Sequence, residues 1–113
     1  FIIIIKIMGK IHRVNLTTGH ISTESAEPFR SWIGGIGVGE KILYDEVKPW
    51  GTPYDPANRL IICTGALSGT ICPGTGRIAA VTKSPMTMAI ASGNSGGHFG
   101  LALLYAGFEY IVL

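Results

Sequence analysis

Arg77 follows a segment of small residues that would bring an anion close to the main chain. Residues 64–77 read TGALSGTICPGTGR. Arginine has a permanent charge and a planar fork of donors that matches phosphate or carboxylate, and glycine lets a ligand approach the backbone. The pattern predicts an anion site at Arg77. A surface arginine at the start of a strand is the alternative that these residues leave open.

A second glycine-rich segment, residues 92–100 (SGNSGGHFG), comes directly before the helix-forming residues 101–105. Unpaired N–H groups at a helix N-terminus attract anions, and Asn94 has a side chain suited to an N-cap. A capping role alone would also explain Asn94. Arg77 and Asn94 lie at the two ends of a predicted hairpin, so the register of that hairpin decides whether they meet.

A third glycine-rich segment, residues 34–41 (GGIGVGEK), differs from both common nucleotide-binding patterns. A P-loop requires Gly-Lys-Ser/Thr, and Glu40 follows Gly39 here. The dinucleotide fingerprint follows a strand, whereas this segment follows a predicted helix. We interpret it as a joint that lets two helices pack closely, with ligand contact as the alternative.

Histidine and cysteine do not form a metal-ligand pattern in this sequence. His12, His20 and His98 share no ligand spacing. His98 lies among glycines and could contact a ligand, although a solvated histidine is the more ordinary interpretation. Cys63 and Cys72 are nine residues apart, which matches no zinc or iron–sulfur spacing. We interpret both as buried structural thiols.

The composition limits the classes of function. The chain has 113 residues, 47% of them hydrophobic and 14% charged, with a net charge of +2 and no basic stripe, so nucleic-acid binding is not expected. Residues 1–8 are far shorter than the roughly 20 residues of a membrane span and lack signal-peptide features. They predict an edge strand or a non-native start, and a cytoplasmic protein. The apolar residues 108–113 predict a domain truncated at its C-terminus.

The periodicity of apolar residues predicts short strands that come in adjacent pairs, with short helices between them. The predicted strands are residues 10–16, 21–25, 59–64, 77–82, 86–91 and 108–113. The predicted helices start at Pro28, cover residues 38–47 and cover residues 101–105. The pattern indicates an α+β fold with a mixed or antiparallel sheet, because adjacent strand pairs do not suit a doubly wound parallel sheet.

Eight short segments, in order and at matching spacing, resemble the N-terminal domain of the aldehyde ferredoxin oxidoreductase family, the tungsten or molybdenum pterin enzymes. They are GKIHRVNLTTG (9–19), WIGGIGVG (32–39), PANRL (56–60), TGALSG (64–69), GR (76–77), VTKSP (81–85), NSGGHFG (94–100) and YAG (105–107). The resemblance implies that residues 1–113 are an incomplete N-terminal domain that forms a β-sheet base for a bis-pterin cofactor, tungstopterin or molybdopterin, whose phosphates are linked through magnesium.

The resemblance also implies roles for four residues. Arg77 would pair with a cofactor phosphate, Ser95 and Gly96 would donate hydrogen bonds to phosphate, and the main-chain carbonyl of Asn94 would lie near the magnesium. The loop before Arg77, residues 72–76, differs from the usual small-residue loop of the family. No catalytic residue is expected in this chain, and the family's 4Fe-4S cysteines lie further along a longer polypeptide.

The implied reaction is oxidation of an aldehyde to a carboxylic acid, or its reverse, with ferredoxin as the electron partner. The implied partners are the remainder of the polypeptide and ferredoxin, and homo-oligomerisation stays open. Two other interpretations remain: a non-catalytic module that binds a small phosphorylated ligand, and a structural piece that uses its apolar surface for assembly.

Overall fold

The computed structural model describes residues 9–113, which form one mixed six-stranded sheet. The predictions for residues 1–8 therefore lie outside the described residues. The strands are β1 (Lys10–Val14), β2 (Ile21–Ser25), β3 (Ile61–Thr64), β4 (Ile78–Lys83), β5 (Ile90–Ser95) and β6 (Phe108–Val112). They lie side by side in the order β2-β1-β6-β3-β4-β5.

Every pairing between the six described strands is antiparallel except one. β1 and β6 are parallel, and β6 pairs on its other side with β3 in antiparallel register. The last strand in sequence is therefore inserted between the β1–β2 hairpin and the β3–β4–β5 meander. This arrangement confirms the prediction of an α+β fold with a mixed sheet.

Within residues 9–113, three helices connect the strands: a 3-10 helix (Glu27–Trp32), α1 (Ile36–Glu46) and α2 (Phe99–Tyr105). The helix predicted at Pro28 is thus a 3-10 helix, and it buries none of its residues. α1 begins two residues before its predicted start. The chain turns at Gly35, where φ is +59°, and this turn allows α1 to begin at Ile36 and to include Gly37 and Gly39.

The hydrophobic core lies between α1 and one face of the sheet. Strand alternation places Ile61 and Val81 on this face, where both are fully buried beneath Ile42 of α1. Fully burying an aliphatic side chain of this size stabilises a fold by about 1.5–3 kcal/mol. Gly39 allows the close approach of helix to sheet, because a Cβ atom there would lie 2.5 Å from Cys63 Sγ.

The fifth strand differs from its prediction. Residues 86–89 form a turn rather than part of a strand, and Met88 has a φ of +59°. The N–H of Ser84 donates to the carbonyl of Ala89 at 2.8 Å and closes this turn. β5 therefore begins four residues later than predicted and extends through Asn94 and Ser95, which the sequence had assigned to a glycine-rich turn.

Lys83, at the end of β4, is buried and organises the long loop after α1. Its ammonium group donates hydrogen bonds to the carbonyls of Lys48, Pro49 and Gly51. These three loop carbonyls accept hydrogen bonds from a buried ammonium group instead of from backbone N–H groups.

No helix within residues 9–113 is long and apolar enough to span a bilayer.

Candidate functional site

The three glycine-rich segments meet at one end of the sheet, where β3 and β5 end and β4 begins. The N–H of Gly35 donates to the carbonyl of Thr64 at 3.1 Å, which joins the start of α1 to the end of β3. A Cβ atom on Gly76 would lie 3.2 Å from the carbonyl oxygen of Gly97. We call this region, residues 34–35, 64–77 and 94–100, the glycine-rich end.

Arg77 lies at the glycine-rich end without a partner among the residues described. Its side chain is exposed and forms no hydrogen bond or ion pair within residues 9–113. Arg13, Arg30 and Arg59 differ, since each has a nitrogen within 3.5 Å of a glutamate oxygen. A guanidinium with five free donors is available to a phosphate or carboxylate ligand.

The register of the β4–β5 hairpin brings Asn94 and Ser95 next to Arg77. Ile78 lies opposite Ser95, and Ala79 lies opposite Asn94. Arg77 immediately precedes Ile78, so it lies at the same end of the hairpin as the bend that follows Ser95. Continuing the strand alternation by one residue assigns Arg77 to the same face as Ala79 and Asn94.

The peptide group of Asn94 lies on the open side of β5. Along an antiparallel pair of strands, residue pairs that are hydrogen-bonded to each other alternate with pairs whose N–H and C=O groups point away from each other. Ser84 and Ala89 are a hydrogen-bonded pair. Ala79 and Asn94 lie five pairs further along the same register, so they are a pair of the second kind. The carbonyl of Asn94 therefore points away from β4, towards the edge of the sheet that no described strand covers.

The bend after β5 leaves space for a ligand. A Cβ atom placed on Gly96 or on Gly97 would meet no heavy atom within 4 Å. Gly97 has a φ of +114°, which L side chains rarely adopt. The Oγ of Ser95 donates to the carbonyl of Gly96 at 3.3 Å, and the Ser95 side chain is exposed.

The structure corrects the capping role considered for Asn94. α2 begins at Phe99, its N-cap position is His98, and no side chain forms a capping hydrogen bond there. Asn94 is an edge-strand residue four positions earlier. With seven residues, α2 is also too short for an anion site that depends on its N-terminus alone.

The glycine-rich segment of residues 34–41 serves packing. Gly34 and Gly35 lie between the 3-10 helix and α1, and a Cβ atom on Gly37 would lie 3.0 Å from the carbonyl oxygen of Trp32, the last residue of the 3-10 helix. The interpretation as a joint that lets two helices pack closely is therefore confirmed for these residues.

Gly39 has a different role, because it lies inside α1 and contacts Cys63 and Val81 of the sheet. Gly35 lies at the N-terminus of α1, beside Gly65.

The cysteines occupy opposite environments. Cys63 is buried, as expected, and burial raises the pKa of its thiol to about 12. Cys72 is exposed, which corrects the prediction of two buried thiols, because the loop that holds it lies outside the core. Within the described part of the chain, no three histidine, cysteine or acidic residues cluster as metal ligands.

A groove at the other end of the sheet was not singled out from the sequence. It has a volume of about 560 Å³, and Arg13 and Arg59 are among the residues that line it. Glu46 neutralises both arginines: it forms two hydrogen bonds with Arg13 and lies 3.5 Å from Arg59 Nε. Pairing with Glu46 raises the pKa of Arg13. We call Arg13, Glu24, Glu46 and Arg59 the salt-bridge end.

Comparison with known proteins identifies relatives over nearly the whole chain. The family described as aldehyde ferredoxin oxidoreductase, N-terminal domain, matches residues 11–113. The tungsten-containing aldehyde ferredoxin oxidoreductases of Pyrococcus abyssi, Pyrococcus horikoshii and Pyrococcus furiosus are 46%, 45% and 44% identical to it over 107 residues. Each comparison covers 93% of this chain and 18% of the relative, so the chain spans less than a fifth of their length.

A solved structure has the same fold. The active site complex BamBC of benzoyl coenzyme A reductase, in complex with 1,5 dienoyl-CoA, superposes with a TM-score of 0.87 and 36% sequence identity. The match covers 93% of this chain and 16% of that chain.

Proposed function

The chain belongs to the aldehyde ferredoxin oxidoreductase family, as an N-terminal domain, and from that premise we propose that its glycine-rich end binds the phosphates of a tungsten or molybdenum bis-pterin cofactor. The protein that contains it would be an oxidoreductase that converts aldehydes to carboxylic acids, or the reverse. The relatives from three Pyrococcus species are named as tungsten-containing enzymes, which favours tungsten.

The observation that supports this proposal most directly is the free guanidinium of Arg77 beside an open bend. In the described part of the chain, three of four arginines are paired with glutamate and Arg77 is not. A structural arginine normally has an acidic partner in its own domain, whereas a ligand-binding arginine has its donors free until the ligand binds.

Each site residue has a role that its position allows. The guanidinium of Arg77 would bind two oxygens of a phosphate group, and the hydroxyl of Ser95 and the N–H of Gly96 would donate to the same group. The outward carbonyl of Asn94 would coordinate magnesium, which prefers oxygen ligands. These residues bind and orient the cofactor; the bound cofactor supplies the two-electron redox chemistry.

The proposal assigns the remaining functions to other parts of a longer polypeptide. The 4Fe-4S cluster would be held by cysteines outside this chain, since Cys63 is buried and Cys72 has no cysteine neighbour with ligand spacing. Ferredoxin would accept the electrons. Two free cysteines suit a reducing compartment, so the proposal includes a cytoplasmic location.

The test compares two arginine variants of the full-length protein. Arg77→Ala removes a charge-assisted bond worth about 1.5–3 kcal/mol, so we expect cofactor affinity to fall about 10- to 100-fold. Arg30→Ala is the control, because Arg30 is exposed and pairs only with Glu27 on the same helix. Tungsten, molybdenum and pterin per chain are measured after dialysis.

Two results would contradict the proposal at different points. Unchanged metal and pterin content in Arg77→Ala would remove the role of Arg77. Wild-type protein that contains no tungsten, molybdenum or pterin would contradict the cofactor itself. In that case, stabilisation of the protein by a small phosphorylated ligand would support the non-catalytic binding module instead.

A further inference from the structure

Gly100, in the first turn of α2, packs directly against the main chain around Arg77. It is buried, and a Cβ atom placed on it would lie 3.0 Å from Ile78 Cγ2, 3.2 Å from the Gly76 carbonyl oxygen and 3.6 Å from the Arg77 carbonyl oxygen. Two of these three neighbours are backbone atoms. They cannot rotate away as a flexible side chain would.

A second glycine contact joins the same two segments. A Cβ atom on Gly76 would lie 3.2 Å from the carbonyl oxygen of Gly97, in the bend that follows β5. Gly76 therefore touches the bend, and Gly100 touches Gly76. The chain before Arg77 and residues 96–100 lie backbone against backbone at two points.

These contacts fix the position of the backbone from which the side chain of Arg77 extends. The side chain of Arg77 has no partner within residues 9–113, so its location depends on the backbone that bears it. The distances of 3.0 and 3.2 Å that an added Cβ atom on Gly100 would have are shorter than normal van der Waals contacts, so the neighbour would have to move by a few tenths of an ångström. That displacement falls on Ile78 and on the Gly76 carbonyl, the two residues that flank Arg77.

We propose that Gly100, together with Gly76, is a positioning residue that sets the separation between Arg77 and the bend at Gly96. This inference rests on the proposed function and deepens it. The group bound between the two segments is a phosphate ester, and its fit depends on two close backbone approaches, in each of which an added Cβ atom would lie only 3.2 Å from a carbonyl oxygen. Gly100 itself does not touch the ligand.

The test uses full-length protein and follows the rate at which tungsten and pterin leave it during dialysis. We expect Gly100→Ala to accelerate loss on the order of tenfold, because displacements below 1 Å already weaken an oriented interaction. Gly76→Ala should also accelerate the loss of tungsten and pterin, and it replaces Gly100→Ala in the test if that variant does not fold. Gly19→Ala is the matched control: it strains a φ of +72° in the β1–β2 turn and meets no atom within 4 Å.

A double-mutant cycle separates positioning from general destabilisation. If Gly100 acts through Arg77, Gly100→Ala changes the rate of loss less than twofold in the Arg77→Ala background. Equal acceleration in both backgrounds, or acceleration by Gly19→Ala as large as that by Gly100→Ala, overturns the inference. So does normal retention in Gly100→Ala and Gly76→Ala while Arg77→Ala loses cofactor. Normal retention in Arg77→Ala overturns the proposed role of Arg77 first.

Discussion

The salt-bridge end and the glycine-rich end of the molecule contain arginines that have opposite surroundings. At the salt-bridge end, the Glu46 carboxylate bonds to Arg13 and lies near Arg59, and the side chains of all three are at most 34% exposed. At the glycine-rich end, Arg77 is exposed, and Asn94 and Ser95 lie on the neighbouring strand. The same residue type thus completes the fold at one end and is left free at the other.

Structural and ligand-binding arginines differ in the acidic residues around them. A structural arginine has its charge balanced by acidic residues of its own domain, so removing either partner costs stability. A ligand-binding arginine needs surroundings without acidic groups, because a carboxylate nearby would compete with the ligand. Substitutions at the salt-bridge end should therefore lower the stability of the fold, whereas substitution of Arg77 should lower ligand binding.

The largest effect is expected from reversing the charge at the salt-bridge end. Glu46→Lys replaces attraction to Arg13 and Arg59 with repulsion, so we expect local opening to become easier by about 2–3 kcal/mol. Amide hydrogen exchange of α1 and β1 in the full-length protein measures this. Asp45→Lys is the control, as Asp45 pairs only with Lys41 on the surface, and should cost less than about 1 kcal/mol. Equal costs would contradict the comparison.

A smaller effect is expected at Lys83. Lys83→Met keeps the apolar stem and removes the cation that three loop carbonyls share, which should cost about 1–2 kcal/mol and should speed amide exchange in residues 48–51. Lys41→Met removes a surface ion pair with Asp45 and should leave exchange in residues 48–51 within about 0.5 kcal/mol of the wild type. If residues 48–51 exchange at the wild-type rate in Lys83→Met, the buried cation is not what orders this loop.

The smallest effect on stability is expected at Arg77. Arg77→Met, in protein freed of cofactor, should change the opening free energy of β4 and β5 by less than about 0.5 kcal/mol, since Arg77 bonds to no described residue. Hydrogen exchange of these strands is again the measurement. A cost above 1 kcal/mol would mean that Arg77 is a structural arginine like Arg13.

Much of the fold followed from local patterns. The β1–β2 hairpin, α1, β3 and β6 were predicted within a few residues, because each is a compact run of apolar residues with turn residues at its ends. β5 was placed too early, because Met86, Met88 and Ile90 alternate as in a strand. The true strand (Ile90–Ser95) is rich in residues of low strand propensity, and its pairing with β4 overrides that propensity.

The site could be predicted only in part. The residue types around Arg77 indicated an anion site, and the family resemblance assigned the roles of Asn94, Ser95 and Gly96, which stay predictions. The sequence did not reveal that Arg77 lacks a partner, since pairing depends on which glutamates the fold brings near. It also did not reveal the contact of Gly76 with Gly97, which depends on the hairpin register.

The position of β6 has a consequence for synthesis of the protein. β1 and β3 do not pair with each other, and each meets only β6 at its inner edge. While the ribosome is still adding residues before Phe108, β1 and β3 therefore each lack the strand that will pair with them, and their backbone N–H and C=O groups on that side are unpaired. Such edges attract chaperones or other chains. Emergence of one five-residue strand then joins the two edges.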